Sequence, residues 1–343
     1  MTMPLDSFLR AMPKVELHVH LEGSIRPETL LTLARRNGVA LPADSVEGLR
    51  EWYRFTDFDH FVEIYLAICA CLAKLDDLEL IAREFLAGQA AQNIRYSEVT
   101  FTAWLHHDRM GWPFLDQLAA LNRARDWAAR ELGVRAGFVI DIPRIISAAD
   151  GIKVAEMAIS GMGRGVVALG LGGPEVGNPP ERYEEAFARA REAGLPSVPH
   201  AGETVGPESI WGALRVLDAV RIGHGVRCLE DPALVEYLRA RQTPLEVCPT
   251  SNLCVAGVAR IEEHPLPRLI EAGLYVTLNS DDPPMFDTTL TDEYLKVARA
   301  FGLGAPDFER LVQAAVRASL LPAAEKAKLA ASIAAECGKL RGM

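Results

Sequence analysis

Short runs of β-branched and apolar residues, several closing on a polar position, alternate along the chain with longer stretches whose apolar positions recur every three to four residues. The first pattern marks buried strands and the second marks amphipathic helices. Strand patterns fall at Val15–His20, Arg95–Phe101, Val134–Ile140, Val166–Leu171, Ser197–His200, Val220–His224, Leu245–Cys248 and Tyr275–Asn279. Helical patterns fill Pro27–Asn37, Asp76–Gln92, Pro113–Leu132, Arg182–Ala193, Glu208–Ala219 and Pro232–Arg241. Such alternation predicts parallel βαβ units. With no glycine-rich phosphate fingerprint after the first strand, eight strands favour an α/β chain closed into a (β/α)8 TIM-type barrel over an open doubly wound sheet. Pro42–Thr56 and the helix-like Phe58–Leu72 read as an insertion after strand 1, and Asp307–Leu340 as extra C-terminal helices. No low-complexity linker divides the chain, so residues 1–343 are expected to form a single barrel domain.

Composition narrows the setting. At 49% hydrophobic and 24% charged, the 343 residues read as a soluble globular protein. A net charge of -10 argues against a polymeric nucleic acid or an anionic membrane as partner, because phosphate contacts need clustered Lys and Arg. It leaves a small purine acceptable. Met1–Lys14 lacks a signal-peptide pattern, and no apolar run approaches about 18 residues. The six cysteines form no CxxC pair, which suits reduced thiols in the cytoplasm. A homo-oligomer is left open.

The candidate chemistry lies at the strand ends. His18 and His20 are two apart on an extended strand and so share a face, a geometry suited to two ligands of one ion. His200 closes the fifth strand, His224 the sixth, and Asp281 and Asp282 the eighth. In a barrel these ends converge on one mouth. His18, His20, His200 and Asp281 make a three-nitrogen, one-oxygen set with room for water, the pattern of a catalytic zinc whose water has a pKa near about 7. His224 and Glu203 are left over to serve as base or orienter and as acid. Val166–Leu171 offers no Lys or Glu to bridge a second ion, so one metal per chain is expected. His60, His106, His107 and His264 lack matching partners in the pattern and read as solvated or locally hydrogen-bonded.

Six separated motifs, HVHLEG, LGGPE at Leu171–Glu175, HAGE at His200–Glu203, IGHG, EVCPTSN and NSDDP, occur in an order that resembles the adenosine deaminase family of the amidohydrolase superfamily. The resemblance spans almost the whole chain. It implies hydrolysis of a 6-aminopurine to its 6-oxo form with loss of ammonia. By the same resemblance His18, His20, His200 and Asp281 hold zinc, and Glu203 is protonated and donates to purine N1. His224 orients and deprotonates the water, and Asp281 also hydrogen-bonds it. Asp282 reads N7, the Gly173 N–H approaches N3, and His20 and Glu22 border the substrate. A neutral acid beside N1 fits the charge that builds there as carbon 6 is attacked.

Two departures bear on substrate. Glu22 stands where ordinary adenosine deaminases have a ribose-contacting Asp, and Gly170 stands where they usually have Asp. GGPEVGNPP, HAGETVGPESIW and DDPPMF look most like the branch that includes 6-amino-6-deoxyfutalosine deaminases of menaquinone biosynthesis. That substrate carries a benzoate, for which Arg26 and Arg54 are candidates at the mouth. Phe55, Phe58, Phe61, Val62 and Tyr65 form a helical apolar stripe. As a gate over the pocket, part of it must stay accessible from the mouth. The leading substrates are therefore aminodeoxyfutalosine or adenosine, with adenine as the alternative enzyme reading. A catalytically silent barrel acting as a binding protein is the alternative of another class.

Overall fold

The computed structural model describes residues 3–342. Its eight strands are β1 (Lys14–His20), β2 (Ile94–Phe101), β3 (Arg135–Pro143), β4 (Val166–Gly172), β5 (Ser197–Ala201), β6 (Ile222–His224), β7 (Leu245–Val247) and β8 (Val276–Leu278). They lie side by side in chain order, and every neighbouring pair is parallel. The ring closes just beyond β8, where Asp281 bridges Val19 of β1 and exchanges backbone hydrogen bonds with His18 and His20. The result is the nearly closed barrel that the alternating pattern predicts.

Helices follow the strands because each carries one apolar stripe to bury. In Ala305–Ala318, for example, Phe308, Leu311, Val312 and Ala315 repeat at helical spacing and all are buried. Between β1 and β2 the chain inserts helices Val46–Trp52 and Phe58–Ala70, the latter started by the Asp57 side chain accepting from the His60 N–H. Beyond β8 three helices, Leu290–Phe301, Ala305–Ala318 and Ala323–Leu340, pack on the outside of the barrel. No described helix is long and apolar enough to cross a membrane. The six cysteines are unpaired, five buried and Cys254 exposed.

Candidate active site

The C-terminal strand ends bring His18, His20, His200 and Asp281 together, with one ligand atom from each lying within 4.8 Å of the others. Nε2 of His20 and Nε2 of His200 are 3.1 Å apart, and Asp281 Oδ1 is 3.2 Å from His18 Nε2 and 3.3 Å from His20 Nε2. The outer ring nitrogens settle which lone pairs point inward. His200 Nδ1 lies 2.9 Å from the Leu171 carbonyl, which can only accept, so the His200 proton sits there and Nε2 is bare. His18 Nδ1 lies 2.9 Å from Glu246 Oε2 and does the same, leaving His18 Nε2 buried without a hydrogen-bond partner. Bare imidazole nitrogens converging on a carboxylate oxygen suit a divalent cation. Burial opposes protonation of His18 and His20, yet the nearby carboxylates outweigh it and carry the two up to about 10 and about 9. A site that attracts protons this strongly attracts a metal ion for the same electrostatic reason.

Each motif has a local task in this geometry. The β1–β2 register slips between Glu16 and Val19, and the Leu17 and His18 N–H groups donate instead to Asn279 Oδ1 at 2.8 and 3.2 Å. Gly223 is required because a Cβ there would stand 2.8 Å from His18 Cε1. His224 and Asp281 hold φ of 60° and 65°, a left-handed backbone that costs energy in a non-glycine residue and re-aims both side chains into the mouth. Below them Glu246 joins His18 to Arg221, whose Nε is 2.5 Å from Glu246 Oε1 and whose Nη2 is 2.5 Å from Glu98 Oε2. All three members of that ion-pair chain are buried.

Glu203 and His224 face the ligand cluster from the neighbouring strand ends. His224 Nε2 is 3.6 Å from Glu203 Oε2 and 3.8 Å from Asp281 Oδ2. These separations are too long for direct hydrogen bonds and leave each group able to reach an atom placed between them. Burial, with Asp281 and Glu175 adding repulsion, raises the Glu203 carboxyl well above the ordinary range. Burial, with His18 and His20 adding to it, holds His224 down at about 4 against the pull of Asp281. Glu175 shapes the turn that carries Glu203: it accepts from the N–H groups of Gly202, Glu203 and Thr204 at 2.8–2.9 Å, and from the Ser209 hydroxyl.

A cavity opens above the cluster, lined by His20, Gly173, Glu203, His224, Asp281 and Asp282 among others. Asp282 Oδ1 is buried and unpartnered, and it occupies the space a side chain at Gly23 would need, since a Cβ there would lie 1.6 Å from it. Gly173 has φ +93°, which keeps the backbone bare against the cavity. Phe58, Phe61, Val62 and Tyr65 of the inserted helix line the mouth, whereas Phe55 lines an adjoining cleft and packs on Phe61 and Phe286.

Three expectations fall differently. Glu22 does not line the cavity: it is fully buried and accepts from His106 Nε2, the Thr102 N–H and the Tyr65 hydroxyl at 3.0, 3.1 and 3.3 Å. It opens a 3-10 turn, Glu22–Ser24, so the strand's alternation no longer sets its direction. Arg26 and Arg54 lie on the adjoining cleft, largely exposed and paired with Glu84 and Glu51. His60 and His107 are locally hydrogen-bonded as expected, and His264 Nδ1 also accepts from the Leu266 N–H, but His106 and His264 are buried rather than solvated and each reaches a partner beyond its own turn. His106 pairs with Glu22, and His264 Nε2 meets Asn252 Oδ1 at 3.1 Å. Pattern reading also passed over Glu246, Asn252, Glu175 and Asp141. The first three stand in quoted motifs, but Asp141 on β3, whose buried Oδ1 lacks a partner in the cavity wall, stands in none.

A family model described as adenosine deaminase matches residues 13–336. The aminodeoxyfutalosine deaminase of Streptomyces avermitilis is 40% identical over 331 residues, spanning 96% of this chain and 92% of that protein. The solved adenine deaminase from Arthrobacter aurescens has a TM-score of 0.90 at 35% identity, covering 95% of this chain and 99% of that chain. An amidohydrolase from Burkholderia ambifaria, with bound Zn, has a TM-score of 0.91 at 25% identity and covers 99% of this chain and 95% of its own.

Proposed function

The chain belongs to the adenosine deaminase family, and we propose that within it the protein removes the 6-amino group of a purine nucleoside, with aminodeoxyfutalosine or adenosine as the leading substrates. It is a hydrolytic purine deaminase by that membership, acting on a small molecule and water. The observation that carries the nucleoside reading is the cavity. It runs from His20, His200 and Asp281 past Asp282 and Gly173 to an apolar mouth formed by Phe58, Phe61, Val62 and Leu66, so its wall extends beyond a base held at the cluster. The relative named an aminodeoxyfutalosine deaminase supports the larger substrate. The whole chain, 1–343, acts as one barrel unit in this reading, and its unpaired, mostly buried thiols support a cytoplasmic setting.

We assign the metal as one zinc ion per chain, held by His18, His20, His200 and Asp281. The bare His18 and His200 nitrogens fit it, and the related amidohydrolase with bound Zn supports the choice. A bound zinc would supply a water activated at neutral pH. The chain's own groups do the rest. Glu203, whose carboxyl burial raises well above the ordinary range, donates a proton toward purine N1 as carbon 6 is attacked, stabilising charge that builds in the transition state. Asp282 presents an unpartnered carboxyl for N7, and the Gly173 backbone lies bare for N3. Phe58, Phe61 and Tyr65 screen the reacting ring from water.

Adenine is the second reading, favoured by similarity to the Arthrobacter adenine deaminase. A steady-state comparison of adenine, adenosine, deoxyadenosine, 5′-substituted adenosines and aminodeoxyfutalosine by ultraviolet absorbance decides between them. The nucleoside reading expects the highest kcat/KM among nucleosides. A clear preference for free adenine overturns it.

A further inference from the structure

The ring order of the barrel fixes which part of its wall meets the N9 edge of a purine. Around the purine the nitrogens run N1, N3, N9, N7. In the contacts proposed above, Glu203 after β5 takes N1, Gly173 after β4 takes N3 and Asp282 after β8 takes N7. The strands stand in chain order around the barrel, so N9 must face the arc between β4 and β8 that holds β3, β2 and β1. On that arc the cavity is walled by His20, Thr102 and Asp141 among others. His20 turns Nε2 to the metal cluster, and Glu22 is drawn inward to His106 and Thr102. The carboxylate that remains is Asp141 on β3, which is 3% exposed and whose Oδ1 is buried with no hydrogen-bond partner. The glycines of β4 make room for it. A Cβ at Gly172 would stand 2.8 Å from Asp141 Oδ2, and one at Gly170 3.2 Å from Asp141 Cβ. A buried carboxylate oxygen is costly to keep without a donor, and in a cavity wall that points to a donor brought by the ligand.

We propose that Asp141 is a specificity-determining residue of this site, its carboxyl accepting a hydroxyl of a ribose linked at N9. The assignment rests on the purine-nucleoside reading above and deepens it. Glu22 supplies no substrate contact in this arrangement, because its carboxylate already accepts from Thr102, Tyr65 and His106. The mouth beyond, at Phe58, Phe61, Val62 and Leu66, offers a sugar no acceptor, so the hydroxyl's partner must come from the deeper wall. The competitor for Asp141 Oδ1 is the N9–H of a free base, which is also a donor. The two make opposite demands on substrate choice: a site built around a hydroxyl contact discriminates against the analogue that lacks it.

Steady-state kcat/KM for adenosine, 2′-deoxyadenosine, 3′-deoxyadenosine and adenine, on zinc-loaded wild type and Asp141→Ala, makes a cycle between side chain and hydroxyl. Wild type should lose about 5–150-fold when one of the two hydroxyls is deleted, the consequence of leaving a buried acceptor unpaired. Asp141→Ala should be indifferent to that same deletion, and its adenosine-to-adenine ratio of kcat/KM should fall by the same factor. Asp141→Asn, which keeps one acceptor oxygen, should recover part of that ratio. Additive losses from side chain and hydroxyl overturn the assignment while leaving the deaminase reading intact. An unchanged ratio overturns it too, because the side chain would then serve N9–H or the fold. If wild type deaminates no nucleoside, the nucleoside reading fails by itself, and calorimetric binding of inosine and hypoxanthine judges Asp141. Weaker binding of inosine alone to Asp141→Ala supports the contact, and an equal change for both ligands sinks it. Should Asp141→Ala not fold, Gly172→Ala, whose Cβ displaces Asp141 Oδ2, carries the same cycle.

Discussion

Replacing Glu246 by Gln changes no volume and removes one charge, yet the structure makes it a severe test of how the metal site is built. Glu246 accepts twice: from His18 Nδ1 at 2.9 Å through Oε2, and from Arg221 Nε at 2.5 Å through Oε1. An amide has one acceptor oxygen and one donor group, so it cannot serve both. If its oxygen stays on Arg221, the NH₂ faces His18 Nδ1 and forces that ring into the Nε2–H tautomer, which removes the lone pair a metal needs. If the oxygen turns to His18, the NH₂ opposes the Arg221 N–H. Because Arg221 is the more costly charge to strand, the first arrangement wins, although Glu98 still neutralises part of it. Loss of a carboxylate behind a ligating histidine typically weakens metal binding by about 10–100-fold, or about 1.4–2.7 kcal/mol. Chelator competition should show that weakening for zinc. Thermal unfolding of the zinc-loaded protein should show a smaller gain over the metal-free protein than in wild type. A folded Glu246→Gln protein with wild-type zinc affinity would refute the argument, whatever its melting temperature does.

Four further outcomes follow from other contacts. Glu203→Gln should keep its metal and lose about 10²–10⁴-fold in kcat; near-normal turnover removes Glu203 from its role as proton donor. Gly23→Ala drives a Cβ into the space held by Asp282 Oδ1, 1.6 Å away, and should lower kcat/KM by about 5–150-fold, since displacing the carboxyl leaves a buried hydrogen-bonding group unpaired at about 1–3 kcal/mol. Unchanged kcat/KM there would mean that the Asp282 carboxyl makes no contact with substrate. His264 is held at about 4 by burial, below its unfolded value of 6.5, so the unfolded chain binds the extra proton between those pH values and stability falls as pH drops through that window. The effect reaches about 3 kcal/mol at pH 4, and chemical denaturation of His264→Gln should show a pH dependence flatter by that amount. Removing metal with a chelator should abolish turnover, and adding back zinc should restore it; activity that survives complete removal would contradict the metal assignment.

What the chain's pattern shows and what it hides divide along a physical line. The strand ends were legible because alternation places His18 and His20 on one face, and because a parallel barrel collects every strand's C-terminal end at one mouth. Where alternation stops, so does legibility. Glu22 lies two residues beyond His20, but the chain has already entered a 3-10 turn that carries its carboxylate inward to Thr102 and His106. The inserted helix Phe58–Ala70 could be read as apolar, yet its spacing could not say that Phe58, Phe61, Val62 and Tyr65 meet the cavity while Phe55 faces another cleft. The groups that decide protonation were hidden for a further reason. Glu246 acts on His18 across 228 positions, and His264 acts on His224 only through Asn252, so neither leaves a periodic trace. A motif declares that an imidazole is present at a strand end. Whether that imidazole offers a lone pair or a proton depends on what touches its other nitrogen, and that partner is chosen by packing.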